Sequence, residues 1–448
     1  MIEVMEEKNV HLSNFARLEK ALPSNGAVHR LRKTALKRFR ELGFPTLRNE
    51  DWRFTNAASL AKIPFQLSLP DSDEPAAKLS VDEISPNLGD CHRIVFVNGH
   101  YAAELAATGK LPADVQVRSL ANALSEDPDQ LEPHLAQYAK YQNHAFTALN
   151  TAFVQDGAFI SIAPGVTVDK PICLLFVTTG TGEGKVAHPR NLILVGAGAQ
   201  ASLVEAYVGL EEGVYFTNAV GEILVGEKAI VEHVKLQNES REAFHVALLQ
   251  VHQKASSTFS THYIGRGGSL VRNEVRNMLA GEGCECTING LYIAGDKQHM
   301  DNQTVLDHAM PRCTSHELYK GILDGKAHGV FNGKIFVHED AQKTDAKQTN
   351  QTLLLSDDAT INTKPELEIY ADDVKCTHGA TVGHLDAEAL FYLRARGIGL
   401  HEARSLLTFA FANDIVSRVK IEPLRAQLES ELLAAQHLSG QPHGREAV

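Results

Sequence analysis

Two stretches decide the fold, NGLYIAGDKQ at residues 289–298 and NGKIFVHEDAQ at residues 332–342. Each predicts a strand, a corner carrying Gly or Asp, and the start of another strand. LVGAGAQASLVE, from Leu194, and LVGEKAIVEHV, from Leu224, repeat that pattern. Parallel β-solenoids turn their corners in this way and stack each coil on the previous one. We therefore predict a mainly β protein with a parallel β-helix core.

The strand pattern extends from Gly157 to Gly383. Short alternating runs rich in Val, Ile, Leu, Phe and Tyr recur there, interrupted by Gly, Asn or Asp. About one strand every 10 to 15 residues favours an all-β sandwich, barrel or solenoid over βαβ units. The internal similarity favours the solenoid among these three.

The flanks of this region have helical character. Residues 7–42 predict two helices around a turn at 23–26, and a linker is expected at 69–78, a strand at 93–97 and a helix at 127–151. After the strands, Asp386 can cap a helix with an apolar face of Leu390, Phe391 and Leu393, and Gly397 can end it. Further helices are predicted at 401–419 and 423–437, and a disordered tail at 439–448. The expected divisions are a mainly helical region with a small α/β part at 1–155, the β-helix at 156–384, and a helical domain at 385–448.

Composition excludes several classes of function. The chain has 448 residues, and 55 acidic against 43 basic residues give a formal net charge of -12. This balance argues against a nucleic-acid surface, and the basic run at 30–40 predicts the exposed face of a helix. The sequence contains no run of about 18 apolar residues, which a membrane-spanning helix would need. No secretory signal is expected. No phosphate-loop motif for binding ATP is present.

The cysteines indicate a reducing compartment. They are few for this length and follow no framework spacing; they are Cys91, Cys173, Cys284, Cys286, Cys313 and Cys376. A protein of the cytoplasm or of an organelle stroma is expected.

KCTHGAT, at residues 375–381, holds the main candidate site. In an extended strand Cys376 and His378 project from the same face, and a thiolate beside an imidazole suits iron or an iron-sulfur cluster. The alternative is a small buried hydrophobe beside a hydrogen-bonded imidazole. Metal sites in proteins usually have four ligands. Other residues of this chain, or another subunit, would have to complete the set.

Other motifs predict less. GAGAQA at 196–201 matches a dinucleotide fingerprint but is followed by a strand pattern, whereas the fingerprint needs a helix. Cys284 and Cys286 could bind a metal, although packing is favoured because no second pair lies nearby. A group of histidines is expected to make satisfied hydrogen bonds; they are His299, His308, His316, His328 and His338.

Four segments together resemble the SufB/SufD family of iron-sulfur cluster assembly proteins. They are DNQT at 301–304, HELYKGILDGKAHGVFNGKIFV at 316–337, QKTDAKQTNQTLLLSDDA at 342–359 and KCTHGATVGHLDAEALFYLRARGI at 375–398. RNEDWRFTN at 48–56 and THGAT at 377–381 resemble the SufD branch. The C-x-x-C-x-x-x-C motif often found near the N-terminus of SufB is missing.

The resemblance implies a right-handed parallel β-helix flanked by helices, a heterodimer with SufB at the end of the core, and SufC ATPases docked on the C-terminal helices. It places His378 with a SufB cysteine where a nascent cluster forms, and Cys376 is the neighbouring family cysteine. Docking of SufC is expected on the helix after the core, at Asp386, Phe391, Tyr392, Arg394 and Arg396. The chain itself would be a scaffold subunit rather than an enzyme.

The expected cargo is iron or a transient iron-sulfur cluster shared with SufB, with no cofactor in the isolated chain. The isolated chain could also form a homodimer, and the expected location is the cytoplasm, or the plastid stroma in a plant. Two alternatives stay open. One is a self-sufficient SufB-like cluster scaffold, and the other is a β-helical carbohydrate-active enzyme, which would need carboxylates clustered along a groove.

Overall fold

The computed structural model describes residues 2–22, 26–69, 80–180 and 184–438. The predicted turn at 23–26, linker at 69–78 and tail at 439–448 lie almost entirely outside these residues. The described strands are β1 (Gln66–Leu67), β2 (His92–Val97), β3 (His100–Tyr101), β4 (Val115–Ser119), β5 (Ala158–Ile162), β6 (Ile172–Thr178), β7 (Lys185–Ala187), β8 (Arg190–Val195), β9 (Gln200–Gly209), β10 (Tyr215–Val225), β11 (Ile230–Asn238), β12 (Phe244–Gln253), β13 (Thr258–Arg266), β14 (Leu270–Leu279), β15 (Glu285–Ala294), β16 (His299–His308), β17 (Thr314–Leu323), β18 (His328–Val337), β19 (Asp345–Leu354), β20 (Thr360–Ile369) and β21 (Lys375–Gly383).

Most of these strands coil into two long sheets. Sheet A runs β20-β18-β16-β14-β12-β10-β8-β5-β4, and sheet B runs β21-β19-β17-β15-β13-β11-β9-β6-β2-β3. Leu270 pairs with His299, and His299 pairs with His328, so parallel neighbours lie about 29 residues apart. The result is a parallel β-solenoid of about eight turns, which confirms the predicted fold class. The hand of the coil stays a prediction.

The internal repeats are only partly equivalent in the structure. Leu194 pairs directly with Leu224, so those two similar segments occupy the same place in successive coils. The segment at 289–298 instead begins in β15 of sheet B, whereas the segment at 332–342 begins in β18 of sheet A. Both have the predicted order of strand, corner and strand, because a corner needs the same local chemistry on either sheet.

One row of corners is built from left-handed residues. Each donates its backbone N–H to a carbonyl of the next coil, so the corners are hydrogen-bonded along the solenoid. A positive φ favours glycine, yet Lys228 and Arg312 adopt φ values of 57° and 58°. The row comprises Gly198, Lys228, Ser256, Gly283, Arg312 and Lys343. The prediction of Gly or Asp corners was therefore too narrow.

Inside the coil, apolar side chains stack in register. Ile193, Ile223 and Val251 form one such column on sheet A, and all three are fully buried. Burial of side chains of this size contributes about 2 kcal/mol each. The core therefore grows with every added coil instead of reaching the size limit of a globular core.

N-terminal helices cover the outer face of sheet A. Phe216 and Phe244 of the sheet share an apolar cluster with Trp52 and Phe146, and the Trp52 ring stacks on Phe146 at 5.1 Å. The described helices of this half are α1 (Ile2–Ala21), α2 (Gly26–Leu42), α3 (Ala58–Lys62), α4 (Val81–Ile84), α5 (Leu120–Glu126), α6 (Pro128–Leu131) and α7 (Ala145–Ala152). The two predicted helices within 7–42 and the strand near 93–97 are confirmed.

The prediction of a single helix at 127–151 is wrong. The chain forms α6 and α7 there, with turns between them. Backbone N–H groups of Ala136, Tyr138 and Ala139 donate to the Glu222 carboxylate at 2.8 to 2.9 Å. Because these donors are taken by a side chain of the solenoid, they are not available for helical hydrogen bonds.

Three helices follow the solenoid. They are α8 (Ala387–Ala395), α9 (Leu400–Val416) and α10 (Glu422–Leu438), as predicted to within a few residues. The helices α9 and α10 cover the outer face of sheet B. Ile415 and Val416 share an apolar cluster with Val204 and Val234 of the sheet. None of the described helices has the length and apolar character needed to cross a membrane.

Candidate functional site

The solenoid ends at strands β20 and β21, whose outer edges have no strand partner among the described residues. Ile361 and Leu367 of β20 and Cys376 of β21 are only partly buried against the core. Tyr370 is 60 % exposed and Val382 is 45 % exposed at this end. Two open sheet edges and an uncovered cross-section of the core therefore meet at one surface, which we call the open end.

Both predicted ligand residues lie on β21. Cys376 pairs in register with Ala346, and His378 pairs with Gln348. Ala346 and Gln348 are buried inside the coil, so Cys376 and His378 project over the interior of the solenoid from the open end. The prediction that they share one face of a strand is confirmed.

The two side chains differ in exposure. Cys376 is half-buried, and this burial raises the pKa of its thiol. The imidazole of His378 is exposed and makes no hydrogen bond to another described residue. A half-buried thiol beside a free imidazole fits a soft or borderline metal, since metal binding deprotonates the thiol.

A polar column continues below His378 into the coil. His378 pairs with Gln348, and Gln348 pairs with Glu317 on β17. Gln348 Nε2 donates a 2.9 Å hydrogen bond to Glu317 Oε2, and both side chains are almost completely buried. Burial raises the pKa of the Glu317 carboxyl to about 7. A carboxyl group with this pKa changes charge near neutral pH.

The described part of the chain offers an incomplete ligand set at the open end. Among the described residues, no three His, Cys, Asp or Glu side chains converge on a point where a metal ion could bind. Cys376 and His378 thus form a pair, as the sequence indicated, and nothing else in the described chain adds a third ligand.

Helix α8 follows directly after β21 and carries the other predicted residues. Asp386 is its N-cap and accepts from the backbone N–H groups of Glu388 and Ala389, which confirms the predicted cap. Gly397 has the left-handed φ of 88° expected at the end of this helix.

The apolar face predicted for α8 is not packed as expected. Phe391 is 75 % exposed and Tyr392 is 55 % exposed, and the Arg396 guanidinium lies 4.4 Å from the centre of the Tyr392 ring. Arg394 is also exposed. No residue of α8 is fully buried. The helix therefore presents an aromatic and cationic surface to solvent.

The remaining candidates have structural roles. GAGAQA precedes the strand β9 rather than a helix, as expected of a false match. Cys284 and Cys286 are buried in the core, where Asn277 donates to the Cys286 sulfur at 2.9 Å. Four of the five histidines make side-chain hydrogen bonds. The pairs are His299 with Thr55, His308 with Ser315, His328 with Asn362, and His338 with Asp307.

Sequence reasoning missed Glu317 and Gln348, although both lie inside the quoted family segments. The signal in the sequence was a charged residue and an amide residue at strand positions where the alternating pattern calls for apolar side chains facing the core. Their place beneath His378 depends on the register between coils, which no local pattern reports.

Two consecutive family models match most of the chain. Residues 6–174 match the SufBD protein N-terminal region, and residues 176–411 match the SufBD core domain of the SUF system of FeS cluster assembly. It is 34 % identical over 400 residues to an iron-sulfur cluster assembly SufBD family protein of Synechocystis sp., covering 86 % of each chain. It is 33 % identical over 396 residues to the iron-sulfur cluster assembly protein SufD of Escherichia coli, covering 88 % of this chain and 89 % of the relative. A chloroplastic protein of Arabidopsis thaliana, ABCI7, is 29 % identical over 426 residues, or 92 % of this chain and 87 % of that protein. The chain therefore belongs to the SufBD family of SUF-system iron-sulfur cluster assembly proteins.

Proposed function

We propose that this chain is a SufD-like, non-ATPase subunit that pairs through its open end with a SufB chain. His378, with Cys376 beside it, then contributes to iron acquisition and to the assembly of a nascent cluster at that interface. The observation that carries the proposal is the exposed imidazole on the last strand of a solenoid whose two sheet edges are unpaired among the described residues.

The open end suits a partner of the same architecture. Unpaired strand edges are templates for further pairing, and strand addition across such an edge is a common mode of recognition. Exposed Tyr370 and Val382, with partly buried Ile361 and Leu367, supply apolar area for the contact. A second solenoid placed here would continue the core and cover His378.

In this proposal iron or a cluster is cargo, not a resident cofactor. His378 offers a neutral ring nitrogen, and Cys376 offers a thiolate once the metal displaces its proton. The partner chain supplies the remaining ligands, so release needs only the separation of the two chains. A site split between subunits is thus suited to transient assembly.

The SufC ATPase is proposed to dock on α8 and the helices that follow it. The supporting features are exposed Phe391 and Tyr392, with Arg394 and Arg396 on the same helix, since aromatic residues and Arg are enriched at protein interfaces. ATP hydrolysis would then belong to the partner, and this chain would act as a scaffold without catalysis of its own. We place it in the cytoplasm, or in the plastid stroma in a plant.

The test uses the complex made by co-expression of the full chain with SufB and SufC of the same genome. His378→Ala should leave the purified complex intact and remove iron, sulfide and the visible absorbance of the cluster. His316→Ala, which changes an exposed histidine on the outer face of β17, is the matched control and should assemble normally. A normal rate of cluster assembly in the His378→Ala complex would refute the ligand role.

A second measurement separates the alternatives. The full chain alone, reconstituted anaerobically with iron and sulfide, should hold little or no chromophore, because its described residues offer only two ligands at the site. A stable chromophore would favour a self-sufficient scaffold, and cleavage of a polysaccharide would favour a carbohydrate-active enzyme. A stable homodimer that persists when SufB is added would oppose pairing through the open end.

A further inference from the structure

We propose that Gln348 is a positioning residue for His378: its side-chain carbonyl accepts the imidazole N–H and so leaves the other ring nitrogen free for the metal. This inference rests on the proposed ligand role of His378. It assigns a function to a buried amide that touches neither the metal nor the partner.

The register places the two side chains next to each other. Gln348 on β19 is the direct partner of His378 on β21, and neighbouring strands of a sheet lie about 4.8 Å apart. Both residues lie on the inward-facing side of their strands. Of the other inward residues of β21, Cys376 is only a weak donor, and Ala380 and Val382 have no polar side-chain atom. His378 is therefore the strong donor on β21 that faces this amide.

The amide of Gln348 is held on its other sides. Its Nε2 donates to Glu317 Oε2 at 2.9 Å. An amide nitrogen can only donate, so the nitrogen faces Glu317 and the carbonyl faces away from it. A Cβ added at Gly333, across the coil on β18, would lie 2.1 Å from that same Nε2. The glycine therefore leaves free the space that the amide occupies.

The side-chain carbonyl of Gln348 has no partner among the described residues. Gln348 is 2 % exposed, and its Oε1 is buried without a hydrogen bond from any described residue. A buried acceptor left unpaired destabilises the folded chain, so this arrangement needs a donor that arrives later. The exposed imidazole one strand above is that donor, when a metal bound beside Cys376 turns it inward.

The chemical benefit is a defined tautomer. Histidines that bind metals usually donate their second ring N–H to a carbonyl or carboxylate, and loss of that acceptor typically weakens metal affinity about 10- to 100-fold. Glu317 acts one step further away by preventing the amide of Gln348 from turning over. Once the imidazole has turned inward, the three residues form a chain of hydrogen bonds that runs from the buried core to the proposed ligand.

The test titrates Co²⁺ alone into the full chain and follows thiolate-to-cobalt absorbance, with His378→Ala giving the background. Gln348→Leu should raise the dissociation constant of the site about 10- to 100-fold. Exchange of the pair, Glu317→Gln with Gln348→Glu, keeps the hydrogen bond between positions 317 and 348 and puts a carboxylate beneath His378. This double variant should bind Co²⁺ at least as tightly as the unmodified chain.

The control is Thr352→Val, which removes another buried polar group of β19 at the position paired with Val382 and should leave the affinity unchanged. Unchanged binding in Gln348→Leu, while His378→Ala loses the site, would overturn the role of Gln348 and leave the proposed function standing. An exchanged pair that folds but binds more weakly than Gln348→Leu would also overturn it. Binding that survives His378→Ala would sink both proposals.

Discussion

Arg190 Nη2 lies 2.6 Å from Glu222 Oε1, and neither side chain has any exposed surface. The same carboxylate accepts the backbone N–H groups of Ala136, Tyr138 and Ala139. One buried ion pair on sheet A therefore ties the loop between α6 and α7 to the solenoid. Since burial of a charge is costly, the pair holds the loop only while both partners are present.

Glu222→Gln should destabilise the protein by about 3 kcal/mol, because it leaves the Arg190 charge buried without its counter-charge. The measurement is the free energy of unfolding in urea, compared with that of Glu227→Gln, which changes an exposed glutamate near the end of the same coil. A loss below about 1 kcal/mol, the value typical of surface pairs, would show that Arg190 finds another partner.

Val382→Lys should prevent pairing with SufB. It places a charge over the uncovered core at the open end, and hot-spot contacts of this kind are worth about 2 kcal/mol or more, or roughly 30-fold in affinity. Affinity is measured between purified chains. Ile230→Lys, at an exposed apolar residue on β11, should bind SufB normally. Equal binding by both variants would place the interface elsewhere.

Phe391→Asp should release SufC while the pairing with SufB persists. The ring is 75 % exposed, so its loss should leave the free energy of unfolding within about 0.5 kcal/mol of the original value. Retention of SufC on affinity resin reports the effect, with Leu47→Asp in the N-terminal half as the control at another exposed apolar side chain. Full retention of SufC by Phe391→Asp would exclude α8 as the docking helix.

Protein stability should depend on pH through Glu317. Burial raises the pKa of its carboxyl from 4.5 to about 7 in the folded chain, so the folded state binds this proton more tightly than the unfolded state. The free energy of unfolding should therefore fall as pH rises from about 5 to 8, by about 3 kcal/mol in total. Below about pH 4.5 both states are protonated and the dependence disappears.

Glu317→Gln should remove that dependence. Urea unfolding at several pH values measures the free energy of unfolding of the original chain and of the variant. The value for the original chain minus the value for the variant should fall by about 3 kcal/mol from pH 5 to 8. For the control Glu285→Gln, at an exposed residue of β15, the same difference in the free energy of unfolding should not change with pH. Parallel curves for the original chain and Glu317→Gln would mean that the buried carboxyl does not titrate in this range.

Gly333→Ala should destabilise the solenoid by about 1 to 3 kcal/mol, since the new Cβ would collide with the Gln348 amide. Gln348→Ala in the same chain should relieve the collision, so that the two changes together cost less than their sum. Gly295→Ala, where an added Cβ meets nothing within 4 Å, controls for the substitution itself. Strict additivity would show that the two side chains do not compete for one space.

Local patterns predicted the elements well where neighbours in sequence decide the structure. The alternation around Cys376 and His378 predicts a common face because side-chain direction in a strand has a period of two. Asp386 and Gly397 mark the ends of α8 for equally local reasons. The helix predicted at 127–151 failed because Glu222, far away in sequence, takes its backbone donors.

The amino-acid sequence by itself determined the strands, most corners and the pair of potential ligands, because these depend on side chains a few residues apart. Only the tertiary structure decided which strand stacks on which, and hence that β21 ends the coil and that Gln348 and Glu317 lie beneath His378. Coil length varies from turn to turn, so register is set by the packing of side chains against the previous coil. That packing joins residues a full coil apart, which no local pattern can report.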